Sequence, residues 1–529
     1  MTAPQMLWSG WGDPAQTPTL PPQALELLHA ALRLRRPMPA VAAEDVRLPR
    51  ARLAERERET LSQIVGVEHV HVDDRSRLLH TRGKSTTDLL RIRSGEADAA
   101  PDAVVFPASH QQVVQLLVTC SQARIAVVPF GGGTSVVGGL APRRDGFRAV
   151  VALDLGRMEK LLELDRGSRT ATFEPGLRGP EAEALLAESG YTIGHYPQSF
   201  QYASLGGFAA ARSSGQASAG YGRFDERVVA VRVATPQGTV EVGRAPKSAA
   251  GPDLRQLFLG SEGVFGVITA IRVEVRPFPE ARVYEGWRFE SFAAGCEAVR
   301  RLAQDGPLPT VLRLSDEAET AVDLARPAQF GDGGGPGGAL AITGYEGTAG
   351  DVERRRNGVS SVMRAQAAEP DAAAGAAWFD GRYEGPYLRD ALLDAGALVE
   401  TLETATFWSG TERLYRAVGE ALRSTLTELG TPPVVLCHIS HVYPSGASLY
   451  FTVGAAQLAD PVAQWNTAKA AASDAILVAG GSITHHHGVG IDHREHYGRE
   501  VGPLAIEALR AVKATLDPAG ILNPGVLLP

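Results

Sequence analysis

Three of the thirteen histidines stand side by side, in Thr484-His485-His486-His487-Gly488-Val489-Gly490. Imidazole titrates near neutral pH, so such a cluster suits proton transfer. Adjacent side chains cannot share one helix face, and successive strand residues point to opposite sides, so one face could hold only His485 and His487. Metal binding is a second use of clustered imidazoles. His493 and His496 lie nearby, but no Cys or carboxylate stands at ligand spacing, and no metal is assigned. A loop of structural histidines is the third reading. The internal position excludes an affinity tag.

A second constellation is made of glycine. Pro129-Phe130-Gly131-Gly132-Gly133-Thr134-Ser135 lies between two apolar segments. Consecutive glycines let a backbone turn with positive φ and approach a ligand closely, and their N–H groups can converge on an anion. A diphosphate is the natural guest, although the loop is neither GxxxxGK[ST] nor GxGxxG. A tight turn without a ligand is the plain alternative. Two further clusters weigh against it. Ser204-Leu205-Gly206-Gly207 precedes Arg212-Ser213-Ser214 and Gly220-Tyr221-Gly222. Gly260-Ser261-Glu262-Gly263-Val264-Phe265-Gly266 leads into the apolar run that begins Val267-Ile268. Three such loops imply an extended, closely packed ligand.

These residues need elements to hold them. PDAVVFP reads as a proline-bounded strand, SHQQVVQLLVTCSQARI as a helix capped by Ser109, and AVVPF as a second strand. Strand, helix and strand make a parallel α/β unit. With VVALDL, TATFEPG, VVAVRVATPQGTVEV and VFGVITAIRVEV they form an α+β domain over 99–279. Residues 1–98 read as an extended arm and helical lead-in. Strand and helix patterns over 280–500 predict a cap with an antiparallel sheet flanked by helices. Residues 501–529 read as a helix and tail packing back on the first domain. FGDGGGPGGAL, from Phe330, is expected to be a mobile loop.

Composition narrows the classes. The chain has 529 residues, 44% hydrophobic and 21% charged, which suits a folded protein of more than one domain. A net charge of −8 argues against nucleic-acid binding. Three distant cysteines, Cys120, Cys296 and Cys437, form no disulfide framework and suggest a reducing, cytoplasmic setting. No apolar run is long enough to span a membrane, and the N-terminus lacks a secretory pattern.

PFGGGTSVVGG, SLGG and GSEGVFGVIT together resemble the FAD-binding domain of the vanillyl-alcohol oxidase, or PCMH-type, flavoenzymes. The resemblance implies FAD along the residues quoted above and Ser199. The FAD is expected to be noncovalent because the glycine loop holds no His or Cys, while His110 upstream reads as a helix start. The HHHGVG triplet is similar to that of the alkyl-dihydroxyacetonephosphate synthase family. LWSGWGD, DDRSRLLHTRGKSTTDLLRIRSGE, VLRLSDE, PYLRD and SGASLYF extend the resemblance over about residues 7–525.

That family implies exchange of the acyl chain of acyl-dihydroxyacetone phosphate for a long-chain alcohol through a flavin N5 adduct. It implies Tyr450 as an acid/base, Arg389 on the substrate phosphate, Arg313 near the flavin, and His485, His486 and His487 as catalytic, with His486 chosen for proton abstraction. A lipid substrate, a homodimer and peripheral contact with the inner face of a membrane are implied with it. Read without the resemblance, Tyr450 is first a strand residue with its ring in the core, and both arginines are ion-pair formers. The competing activity is an FAD-dependent D-2-hydroxyacid dehydrogenase or oxidase, whose family usually carries a single EHG histidine. One departure is plain: Cys437-His438-Ile439-Ser440-His441 stands where the synthase pattern is CRVTQ.

Overall fold

Residues 5–16, 20, 22–144, 146–322 and 337–529 are described by a computed structural model. Residues 330–336 of the glycine-rich segment that begins at Phe330 lie outside them.

The expected parallel unit is present. Strands Ala103–Val105 and Ile125–Phe130 flank Ala149–Asp154 in parallel, and helix His110–Ala123 makes the crossover. The Ser109 side chain accepts from the Gln112 amide and caps that helix, which buries Val113, Leu116, Leu117 and Cys120. Near-continuous apolar sequence in these strands fits a sheet covered on both faces. A second, five-stranded antiparallel sheet runs in the order Leu161–Asp165, Thr170–Phe173, Val267–Glu274, Val228–Thr235, Gly238–Val242.

The ends of the chain are built into these sheets. Val70–His71, within the expected lead-in, pairs with Ala103–Val105 as an edge strand. At the other end Leu522 bridges Val127, and helix Pro503–Leu516 packs Leu509, Val512 and Leu516 against the core of the five-stranded layer. The lead-in is also more buried than its charge suggests. Arg77, Lys84, Asp88 and Arg93 are all interior.

The cap is a seven-stranded antiparallel sheet. Its order is Glu369–Asp371, Ala281–Phe289, Ala339–Gly347, Val311–Ser315, Val434–Tyr443, Gly446–Ala456, Ala397–Phe407. Helices Phe292–Asp305, Ala349–Ala365, Thr411–Glu428 and Pro461–Val478 cover one face, where Leu312, Leu314, Cys437, Ile439, Leu449 and Phe451 join the core. Side chains alternate along a strand, so Arg313, His438 and Tyr450 must project from the opposite face. One irregularity alters that alternation. The register passes from Ile439↔Leu449 to His441↔Ser448, leaving Ser440 as a bulge. Both Ser440 and His441 therefore reach the open face, while Ile439 and Val442 stay in the core.

No helix among the described residues is long and apolar enough to cross a membrane.

Candidate active site

The open face of the cap sheet and the glycine loops enclose one cavity of about 480 Å³. Pro129, Phe130, Gly131, Gly132, Gly133, Thr134 and Ser135 form one wall. Ser199, Ser204, Gly206, Gly207, Ser213 and Ser214 form the next, and Glu262, Gly263, Gly266 and Ile268 the third. Arg313, His438 and Tyr450 look in from the cap, with Arg389, His486 and His487 beside them.

Close packing explains the first glycine loop. A Cβ on Gly132 would sit 2.0 Å from the Tyr202 carbonyl oxygen, and Gly133 has φ +69°. The backbone amides of Gly131, Gly132, Gly133 and Thr134 find no acceptor among the described residues. A row of free donors in a glycine cradle fits the diphosphate of a dinucleotide.

Other residues expected at the cofactor serve the loops instead. Arg212 donates to the Leu259 and Gln256 carbonyls and pairs with Asp225. Gly260 makes room for that arginine, since a Cβ there would lie 2.7 Å from its Nε. The Ser261 hydroxyl donates to Phe258 O at 2.8 Å, and Val264 and Phe265 are core residues. Tyr221 donates to Glu346 at 2.9 Å and lies under the Arg276 guanidinium, so Tyr221 and the adjoining Gly222 hold the cap seam rather than line the cavity. The motif is continuous in sequence, but Gly260, Ser261, Val264 and Phe265 turn into the packing of their own loop, whereas Pro129 to Ser135 all face the cavity.

The histidine segment is hung on two buried carboxylates. Glu403 Oε1 accepts from the amides of His486 and His487, each at 2.8 Å, and from the Thr484 hydroxyl at 2.7 Å. Its Oε2 accepts from the His485 amide at 2.6 Å. Burial alone would raise the Glu403 pKa. The three imidazoles and the converging amides outweigh it and hold the carboxyl well below its usual range. Glu262, on the third glycine loop, accepts from the Val489 and Gly490 amides at 3.0 and 2.8 Å. Burial pushes this carboxyl up to about 7.

The triplet is not three equivalent groups. His485 lies off the cavity, with Nε2 2.6 Å from the Tyr443 hydroxyl and Nδ1 2.9 Å from His486 Nδ1. His486 lines the cavity, and its Nε2 has no protein partner among the described residues. His487 touches the Tyr450 ring edge-on at 5.5 Å. Burial lowers the pKa of all three, to about 3 for His487, so each is a neutral imidazole at pH 7.

Tyr450 stacks on His438, its cross-strand neighbour, at 4.8 Å, and burial pushes its phenol up to about 12. Arg313 is paired with Glu319 and lies 3.1 Å from His438 Nδ1, which is itself 2.9 Å from Glu319. Arg389 donates to the Lys84 carbonyl at 2.6 Å and to Asp390 at 3.1 Å. Asp390 also accepts from the Trp11 amide, and Trp11 carries the N-terminal arm into the cavity lining. Glu319, Glu403 and the Ser440 bulge escaped sequence reasoning. A buried acid on an apolar strand, as in LVETLETATF, was the available signal.

Residues 101–243 match the FAD binding domain family, and residues 278–527 match the family of FAD linked oxidases, C-terminal domain. Alkyldihydroxyacetonephosphate synthase of Trypanosoma brucei brucei is 32% identical over 99% of this chain and 92% of its own length. This chain belongs to the alkyldihydroxyacetonephosphate synthase family. The Dictyostelium discoideum synthase is 34% identical over 86% of this chain and 78% of its own. A solved alkyldihydroxyacetonephosphate synthase structure superposes with a TM-score of 0.84, 30% identity and 98% coverage of both chains. As a member of this family the chain is an FAD-dependent enzyme with a two-part α+β FAD domain and a cap.

Proposed function

We propose that the enzyme replaces the acyl chain of acyl-dihydroxyacetone phosphate with a long-chain alcohol, using noncovalent FAD. The carrying observation is that His486 and His487 stand beside Tyr450 and line one cavity with the glycine loops. When bound along the glycine loops, FAD would supply an electrophilic ring suited to a carbanionic substrate carbon, chemistry that needs no net redox change.

His486 Nε2 takes the α proton. For that nitrogen to carry a lone pair, His486 Nδ1–H must donate to His485 Nδ1, and His485 Nε2–H to the Tyr443 oxygen. Tyr443 and His485 thus set the tautomer of the base. Tyr450 keeps its proton at neutral pH and donates it to the departing carboxylate. Arg389, fixed by Asp390 and the Lys84 carbonyl, orients the phosphate, a task suited to a planar guanidinium. Arg313 is neutralised by Glu319 and acts by holding His438 and the Tyr450 ring in place. Val311, Ile342, Trp378, Leu392 and Val399 supply apolar wall for aliphatic chains.

Noncovalent attachment is supported by the cradle loops, whose cavity-lining residues include no Cys or His. His110 is held between Thr269 and Thr239 at 2.8 and 2.7 Å, away from the cavity. The deciding experiment incubates holoenzyme with palmitoyl-dihydroxyacetone phosphate and hexadecanol. An ether product is expected, with the flavin oxidised at the end. Rapid anaerobic bleaching by D-lactate or D-2-hydroxyglutarate, without ether product, would assign a 2-hydroxyacid dehydrogenase instead.

A further inference from the structure

The bulge at Ser440 brings a fourth imidazole to the triplet. His441 stacks on His485 with ring centroids 5.0 Å apart and meets His486 edge-on at 5.1 Å. One ring nitrogen from each of His441, His485 and His486 lies within 4.8 Å of the other two. His441 and His485 are buried, and His486 is partly so. Nothing in the local sequence announces this, because His441 is 44 positions from His485 and arrives from the neighbouring strand.

We propose that His441, His485 and His486 form a site for one divalent transition-metal ion of the zinc, cobalt or nickel class. The chemistry of the donors fits. Neutral imidazole is the ligand form of histidine, and each of the three rings brings one nitrogen to a common point. The outer hydrogen bonds also fit, since ligating histidines are oriented through the nitrogen that does not bind metal. His441 Nδ1 is held by the Ser218 hydroxyl at 2.7 Å and the Ser214 hydroxyl at 3.1 Å, which leaves Nε2. His485 Nε2 is held by the Tyr443 hydroxyl, which leaves Nδ1. The 2.9 Å between the Nδ1 atoms of His485 and His486 matches two ligands on one ion, which at metal–nitrogen lengths of about 2.0–2.1 Å stand roughly 3 Å apart. The cavity beyond His441 and His486 leaves a fourth position for water or an anionic substrate oxygen.

Ligation has a defined proton cost. A metal on His486 Nδ1 moves that nitrogen's proton to Nε2, the atom that would otherwise accept the substrate proton. Metal binding is therefore inhibitory and reversed by a chelator. That consequence rests on the reading of His486 as base, whereas binding itself does not.

The test uses flavin-loaded enzyme equilibrated with Co²⁺ and then dialysed against metal-free buffer. One retained cobalt per chain is expected, with visible ligand-field bands on the long-wavelength side of the flavin spectrum. His441→Gln and His485→Gln should each lower retained cobalt at least tenfold. His29→Gln, at an exposed position, should retain it like the parent. The flavin-to-protein ratio reports whether each variant has folded. X-ray absorption of the parent's cobalt needs no variant and should count three imidazoles. Flavin-loaded parent that retains no cobalt, a folded His441→Gln that retains it fully, or a shell of fewer than three imidazoles would overturn the site. None of these readouts depends on turnover, so a failed synthase assay and a failed metal site are separate results.

Discussion

The Glu403 carboxylate accepts the backbone amide of His486 at 2.8 Å, and so fixes the main chain of the group placed to move a proton rather than its ring. The same carboxylate takes the amides on either side and the Thr484 hydroxyl. Removing it strands four donors in a buried site, and each stranded group costs about 1–3 kcal/mol. Glu403→Ala should lose at least about 3 kcal/mol in a denaturant titration. Glu403→Gln should fold with FAD, yet lose turnover at least tenfold, because one of the two acceptor oxygens becomes a donor. Unchanged turnover in Glu403→Gln would show that the segment holds its shape without the carboxylate.

His486→Ala should keep its yellow colour and lose turnover by about 10²–10⁴-fold, the usual worth of a positioned base. Tyr443→Phe removes the oxygen that fixes the tautomer, without touching the cavity. It should lower kcat, leave KM nearly unchanged and keep flavin content. A shift confined to KM would place Tyr443 in substrate binding instead.

Arg389→Lys keeps the charge but loses the fork that is held by Asp390 and the Lys84 carbonyl. KM for the phosphate-bearing substrate should rise about tenfold or more, as one lost charge-assisted contact is worth about 1.5–3 kcal/mol. Steady-state assays at fixed alcohol check this. An unchanged KM would move the head group elsewhere in the cavity.

Glu262 makes a prediction in pH. Its carboxyl is raised to about 7 in the folded chain, against about 4.3 when unfolded. The folded state therefore holds a proton that the unfolded state gives up. The stabilising contribution is complete below the unfolded value and is lost as pH rises through about 7. Glu262→Gln, which mimics the neutral acid, should flatten stability between pH 4.5 and 8. It should gain on the parent at the alkaline end, by up to about 3 kcal/mol. Parallel melting curves of the two proteins across that range would expose an error in sign.

Much of this was legible before the fold. The α/β unit followed from proline-bounded apolar runs, and the cofactor cradle from three glycine clusters whose backbone demands are local. What was not legible is long-range. Asp88 and Lys84 lie in a charged stretch of sequence, yet both are interior, and burial pushes them to about 6 and about 7. Lys84 spends its protons on the Leu7 and Trp8 carbonyls, 77 and 76 positions away. Nothing near Glu319 or Glu403 in sequence marks their roles, because Glu319 pairs with Arg313 and His438 on strands and Glu403 with the loop at Thr484 to His487. His441 faces the cavity only because Ser440 shifts the phase of one strand, and no period count reveals a bulge. Gly132 carries a related lesson. Its substitution would drive a side chain into the Tyr202 carbonyl, so loss of flavin from that variant reports on loop packing as well as on diphosphate binding.

The N-terminal arm has a consequence for how the protein is made. Residues 7–11 are held by Lys84, by Arg93 through the Ser9 carbonyl, and by Asp390, which is 379 positions from Trp11. On the ribosome residues 7–11 must wait for their partner until the chain has been synthesised beyond Asp390. Closing so long a loop adds little equilibrium cost per doubling of length, but it delays contact. The FAD half is itself completed only after the cap has been translated, because Leu522 and helix Pro503–Leu516 belong to its sheets and core. Completion of the site is thus a late event in biogenesis, dictated by contacts between segments translated far apart.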